Sequence, residues 1–285
     1  MVLGWRTQVG GRRVTEQSTR DGADVAAGDG RRRSRGGARG PERPTTVITG
    51  VSRGLGAALF DQLYDAGYPI VALGRTFTER QLAAEGPQVQ LRITDLSKPE
   101  DLPGPAELSQ LVDGHDVTLI HNAGTIEPFA AIGSLQPDWL LDAVNVNLVA
   151  PMLLTNALLA AMAVYLTVSR PISRLVHVLY VSSSAAHEPS GGRSVYCSTK
   201  RGAEMFMECL AQQHADDPSV RATVVDPGIM DTDMQSVIRA HALAGTYFPD
   251  RERFLARHER GELPSPEIVA RRIIAEHIAP APARP

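Results

Sequence analysis

From Thr45 onward the chain alternates short apolar runs with longer stretches in which apolar residues recur at helical spacing. The run TTVITG is strand-like, and AALFDQLYDAG puts Leu59, Phe60 and Leu63 on one helical face before Gly67 closes the helix. YPIVALGR and VQLRITDL predict the next two strands, and DVTLIHNAG a fourth. Beyond Gly124 the pattern predicts a long helix from about Pro137 to Val164, a strand in LVHVLYVSSS, a helix from about Tyr196 to His214 and a strand in VRATVVDPG. Runs this apolar suit strands buried on both faces, and strand alternating with helix specifies a parallel, doubly wound α/β sheet. Such a sheet binds ligands beyond the carboxyl ends of its strands, so the residues that close each run are the ones to inspect.

Composition narrows the picture. At 285 residues and 43% hydrophobic, the chain can bury one large core. Of its 29 basic residues, ten Arg fall within residues 1–43 beside five acidic residues, which leaves 19 basic against 27 acidic, net −8, for the remainder. A nucleic-acid partner for the body is therefore disfavoured. Residues 1–43, which include GRRRSRGGARGPERP, carry too little aliphatic side chain to offset the entropy of ordering, and they read as a disordered tail ahead of a single domain, 44–285. Three readings of the tail stand open: an RNA-binding or targeting arm, a segment without function, or upstream sequence joined by a misassigned start. The lack of aromatics between its Arg and Gly weighs against the first.

The tail also lacks the apolar run of a signal peptide. Cys197 and Cys209 form no C-x-x-C pattern, so no disulfide is expected and a reducing, cytoplasmic compartment is. The eight His show no metal-ligand spacing, and no metal is expected. LVAPMLLTNALLAAMAVYLTV comes nearest to a membrane span, but Pro151 and Asn156 interrupt it and it reads as a buried helix.

The chemistry begins at TGVSRGLG, between the first strand and the first helix. Gly50 allows the tight turn, Gly54 lets backbone amides approach a phosphate, and Gly56 lets the helix pack close to the sheet. The helix N-terminus then favours a pyrophosphate. The spacing is G-x-x-x-G-x-G, and without the Lys-Ser/Thr ending of a P-loop it does not point to triphosphate hydrolysis. Where the second strand ends, Gly74, Arg75 and Thr76 stand in place of a carboxylate for the ribose hydroxyls. An arginine there can pair with a 2′-phosphate, and Arg53 in the glycine loop offers a second cation. Together they favour NADP(H) over two merely solvated arginines.

With these residues in view the chain resembles the short-chain dehydrogenase/reductase family from Thr45 to about Ala275. TGVSRGLG, with Ser52 and Leu55 among its members, resembles that family's glycine loop; Asp95 and Leu96 resemble its adenine-contacting pair, and Asn122, Ala123 and Gly124 its fourth-strand motif. Asn147, Ser183, Tyr196 and Lys200 fall in the order and spacing of its catalytic set, and Pro227, Gly228, Ile229 and Thr232 in its PG-x-x-x-T segment. The resemblance implies that Ser183 holds the substrate carbonyl, that Tyr196 exchanges a proton with it, that Asn147 and water connect Lys200 to solvent, and that Thr232 contacts the nicotinamide carboxamide. It also implies a homodimer through the long middle helices.

The residues support the same reading. Tyr196 and Lys200 are four apart and share a helical face, so the ammonium can lie near the hydroxyl. A neighbouring cation is expected to lower the phenol from its usual pKa of about 10. Lys98 and Lys200 are the only lysines in a chain otherwise charged with Arg, and a compact ammonium can serve ribose hydroxyls and tyrosine together where a planar guanidinium cannot.

VRATVVDPGIMDTDMQ and RFLARHERGELPSPEIVARRI most resemble the branch holding the sepiapterin and benzil (diketone) reductases, which implies a small-molecule ketone or vicinal dicarbonyl as substrate. His187, Tyr247 and Phe248 are candidates for lining its pocket. Two departures stand out: RRIIAEHIAPAPARP follows the last helix where the family adds a final strand, which argues against a pterin substrate, and Pro171 marks a longer connection before LVHVLYV. The rival from another class is a protein that binds NADP(H) as a sensor or interaction module without turnover, and an intact set of four catalytic residues argues against it.

Overall fold

The structure, a computed structural model, describes residues 43–112, 116–168, 175–240 and 251–278. Six strands, β1 (Thr45–Thr49), β2 (Ile70–Gly74), β3 (Val89–Ile93), β4 (Val117–His121), β5 (Val176–Val181) and β6 (Val220–Val225), lie parallel in the order β3-β2-β1-β4-β5-β6. Each falls inside an apolar run that predicts it. β1, β2 and β4 are buried throughout because helices cover both faces.

Strand periodicity divides the core in two. Val47, Val71, Leu73, Leu119, Val178 and Tyr180 face one side, and Ile48, Ile70, Ala72, Ile120, Leu179 and Val181 the other. The first side is covered by α3 (Pro105–Leu111), α5 (Ala150–Val168) and α6 (Ser194–Gln213), through Leu108, Leu154, Leu158, Ala203 and Met207. α1 (Gly54–Asp65) covers the second with Leu55, Leu59, Phe60 and Leu63, alongside Val269, Ala270 and Ile273 of a late helix, Pro266–Ile273.

The long helix predicted from about Pro137 to Val164 is present but not uniform. α4 (Pro137–Val144) passes through a π-helical turn, Asn145–Val149, into α5. By length and composition alone the stretch Pro137–Ala163 could cross a bilayer, contrary to the sequence expectation, yet half of its apolar 18-residue window is buried inside the fold. It serves as a core helix.

Among the described residues the sheet ends at β6, which pairs only with β5. Residues 1–42 of the expected tail and the connection holding Pro171 lie outside the described residues. The strand order reverses between β1 and β4, and the crevice beyond their carboxyl ends opens there.

Candidate active site

At that crevice lies a cleft of about 1290 Å³, lined from the glycine loop at one end to the N-terminus of α6 at the other. The loop leaves β1 through Gly50 at φ 71° and reaches Gly54 at φ 54°, both left-handed conformations that disfavour any side chain. A Cβ on Gly56 would stand 1.9 Å from the Gly50 carbonyl oxygen, so only glycine lets the first turn of α1 sit this close to β1. The loop is braced from β4. Asn122 Nδ2 donates to the carbonyls of Thr49 at 3.1 Å and Gly50 at 2.9 Å, while Thr49 Oγ1 accepts from the amides of Asn122 and Ala123. No side chain caps the N-terminus of α1, which leaves its first amides to a ligand. This cradle fits the pyrophosphate of a dinucleotide.

At the far end of the cradle, Arg75 and Asp95 both line the cleft; partial burial raises the Asp95 carboxyl, but hydrogen bonds from the Ser97 amide and hydroxyl, joined by the charges of Arg75 and Lys98, outweigh it and hold the group below the usual carboxylate range. Arg53 also lines it but lies 3.7 Å from Asp233 of α7 (Asp233–Ala240), both side chains being well exposed. Leu96 is buried beside Asp95. Gly228, at φ 75°, turns the chain after β6 so that Ile229 and Thr232 line the cleft. Thr232 faces Gly54, its Cγ2 standing 3.4 Å from where a Cβ would lie.

The four residues expected to do the chemistry converge. Ser183, two residues past the end of β5, caps a short 3-10 turn, Ser184–Ala186, accepting a hydrogen bond from the Ala185 amide at 3.2 Å, and lines the cleft together with Tyr196. Tyr196 is 6% exposed in the first turns of α6, against an apolar wall of Ile126, Phe129, Ala185 and Ile238. Burial pushes its phenol above the ordinary value of 10.0, opposed by the neighbouring Ser183 hydroxyl and the charge of Arg193. The sequence expectation was the reverse. Lys200 does not touch the hydroxyl: its Nζ donates to the Val181 carbonyl at 2.8 Å and stands 5.8 Å from the Tyr196 ring centroid. Burial brings the lysine itself down to about 8, against the raising influence of Glu204 and Asp226.

Asn147 is fully buried within the π-helical turn. Its Oδ1 accepts from the Thr125 amide and its Nδ2 donates to the Thr125 carbonyl, both at 2.8 Å, and to Thr199 Oγ1 at 3.2 Å. A Cβ on Gly124 would lie 3.3 Å from Asn147 Oδ1 and 3.6 Å from Lys200 Nζ, so Gly124 fits between these two side chains.

His187 does not line the cleft; it is 60% exposed and pairs with Glu204. Tyr247 and Phe248 lie outside the described residues. Sequence reasoning missed four groups. Gln81, fully buried, donates to the Val51 carbonyl at 2.7 Å and braces the glycine loop from α2 (Glu79–Ala84); the capping box Thr78-x-x-Gln81 was its readable signal. Arg193 is buried at the N-cap of α6, and Glu204 is buried one turn beyond Lys200. Gln235 of α7 lines the cleft with its Oε1 buried and without a hydrogen-bond partner.

Residues 44–243 match the family model described as short chain dehydrogenase. The chain belongs to the short-chain dehydrogenase family. It is 33% identical over 234 residues to a benzil reductase, (S)-benzoin forming, of Bacillus subtilis, which covers 79% of this chain and 89% of the relative. Sepiapterin reductase of Bos taurus is 30% identical over 260 residues, or 82% of this chain and 89% of the relative. Among solved structures, the KRED1-Pglu enzyme is similar with a TM-score of 0.67 at 29% identity, over 84% of this chain and 97% of that one. This short-chain dehydrogenase is thus an oxidoreductase of a family that binds NAD or NADP, and of the four residues expected to do the chemistry Ser183, Tyr196 and Lys200 line the same cleft as the glycine loop, while Asn147 lies behind it.

Proposed function

We propose that the protein is an NADPH-dependent carbonyl reductase that acts on ketones and vicinal dicarbonyls, with Tyr196 as proton donor. The observation that carries this reading is a buried tyrosine, its phenol pushed up by burial, that lines one cleft with Ser183, Lys200 and a dinucleotide cradle. NADPH, when bound, supplies the hydride to the carbonyl carbon. The residues of this chain do the rest. Ser183 donates to the carbonyl oxygen and polarises it, and Tyr196 delivers a proton to the developing alkoxide. Lys200 stands ready to stabilise the resulting phenolate, which recovers its proton from solvent by way of the lysine. One C–H and one O–H bond would form as the C=O π bond is lost, with reduced nicotinamide as the source of the two electrons.

Arg75 supports the preference for NADPH, since a guanidinium at the end of β2 can pair with a 2′-phosphate where a carboxylate would repel it. The apolar wall around Tyr196 suits an aryl or alkyl dione, and the similarity to benzil reductase points the same way. Trp139 and Leu141 of α4 and Leu153 of α5 are exposed, which supports a homodimer through these helices, and the free thiols of Cys197 and Cys209 suit a reducing cytoplasm. The deciding experiment mixes the purified protein with NADPH and benzil, then with a panel of other carbonyls, sepiapterin included, and follows nicotinamide absorbance. Loss of absorbance with benzil is expected; tight NADPH binding without oxidation across the panel would overturn the reading in favour of a nucleotide sensor.

A further inference from the structure

Glu204 lies one helical turn beyond Lys200 and two beyond Tyr196, on the same face of α6, and is 6% exposed. A carboxylate this buried requires partners. Its partners are specific. Oε1 accepts from Ser182 Oγ at 2.5 Å, and Oε2 lies 2.9 Å from His187 Nε2 and 3.3 Å from Arg201 Nη1. Ser182 immediately precedes Ser183, and His187 follows the short turn that Ser183 caps. One carboxylate therefore fastens the backbone on both sides of the serine to the helix that bears the tyrosine and the lysine.

Its charge has a second destination. The titratable groups facing the Lys200 ammonium are His121 from β4, Tyr180 from β5 with its ring centroid at 4.7 Å, Tyr196 and Glu204 from α6, and Asp226 beyond β6. Burial holds His121 neutral, well below the ordinary histidine range, and both tyrosines protonated, which leaves two anions. Asp226 is exposed and screened by solvent, whereas Glu204 is buried, and it is the larger influence keeping the proton on Lys200.

We propose that Glu204 is a positioning residue of this site: its carboxylate anchors the Ser183 segment to α6 and stands as the buried counter-charge one helical turn from Lys200. The proposal rests on the reading of Ser183, Tyr196 and Lys200 as reductive machinery, and it can be tested apart from that reading. Because Lys98 and Lys200 are the only lysines, carbon-13 lysine labelling of the full chain, with Lys98→Arg for assignment, reads the titration midpoint of Lys200 without turnover. In Glu204→Gln that midpoint is expected to fall by about one pH unit. The alkaline limb of the pH–kcat profile moves down with it while KM for NADPH stays within about twofold, and Glu204→Asp, which keeps the charge, restores the midpoint.

An unchanged midpoint in Glu204→Gln overturns the proposal, whether or not any ketone is reduced. A shifted midpoint in a protein that reduces no carbonyl supports the hold of Glu204 on Lys200 and sinks the reductase reading instead. Should Glu204→Gln fail to fold, Ser182→Ala leaves the carboxylate in place and removes one arm of the anchor. Its kcat is expected to fall severalfold at an unchanged Lys200 midpoint, and a kcat equal to wild type overturns the anchor.

Discussion

Lys200 donates from Nζ to the carbonyl of Val181 at 2.8 Å, so the ammonium is tied to the end of β5 and not to the tyrosine hydroxyl four residues before it. The lysine therefore keeps its place whatever happens to the phenol, and the two can be tested separately. Tyr196→Phe is expected to lower kcat for carbonyl reduction by about 10³-fold, the range of a lost general acid, while the Kd for NADPH stays within about twofold. Steady-state rates alongside fluorescence titration of NADPH check this; a mutant at wild-type rate would show that another group delivers the proton.

Arg75 follows the buried residues of β2 into solvent beside Asp95. Arg75→Asp should weaken kcat/KM for NADPH by about tenfold or more, because a charge-assisted pair becomes a repulsion, and should leave NADH little affected or improved. The ratio of the two kcat/KM values, measured on one carbonyl, decides it. An unchanged ratio would remove Arg75 as the phosphate reader.

Gly56 offers a steric test of the cradle. The added methyl of Gly56→Ala would lie 1.9 Å from the Gly50 oxygen and 2.4 Å from Asn122 Nδ2, so both the turn and its brace must move. A loss of about 1–3 kcal/mol in stability is expected from overpacking, with NADPH binding weakened at least tenfold. Thermal melts with and without NADPH measure both, and a variant indistinguishable from wild type in each would refute the packing described.

Acid stability should report on His121. It is fully buried at the end of β4, its Nε2 2.8 Å from Thr155 Oγ1, and burial lowers it from 6.5 to about 3, with the Lys200 charge adding to the effect. Above the unfolded value the ring is neutral in both states and stability is complete. As pH falls from 6.5 toward 3 the unfolded chain binds a proton that the folded chain refuses, and stability is lost at roughly 1.4 kcal/mol per pH unit. Urea unfolding at pH 7 and pH 5 should therefore differ by about 2 kcal/mol more in wild type than in His121→Asn. His177, brought down to about 4 mainly by burial, remains in both proteins and cancels in the comparison.

The strands and the glycine loop were legible because their causes are local. A strand buried on both faces must be an apolar run, and a helix start packed against a carbonyl must be glycine, so Val47–Ile48 and Gly56 declare themselves. Asn147 was legible as a residue but not in its setting. The π-helical turn that buries it adds a residue to one turn, but the run beyond it, Ala150–Val168, is apolar on nearly every side and hides the slip in phase, so the stretch reads as one helix. Glu204 left no trace either, because Ser182 and His187 reach it across the fold, and a glutamate on an amphipathic helix reads as solvated surface. The phenol of Tyr196 was misjudged for a related reason. Spacing reveals a neighbouring cation, but only the packed wall of Phe129, Ala185 and Ile238 reveals the desolvation that outweighs it.

The braces from Asn122 and Gln81 carry a consequence for how a nucleotide arrives. With the carbonyls of Thr49, Gly50 and Val51 already engaged, the turn is preorganised, and association removes little backbone entropy from it. Capture should then proceed as docking onto a rigid shelf, with weakened variants of the loop differing from the parent chiefly in residence time.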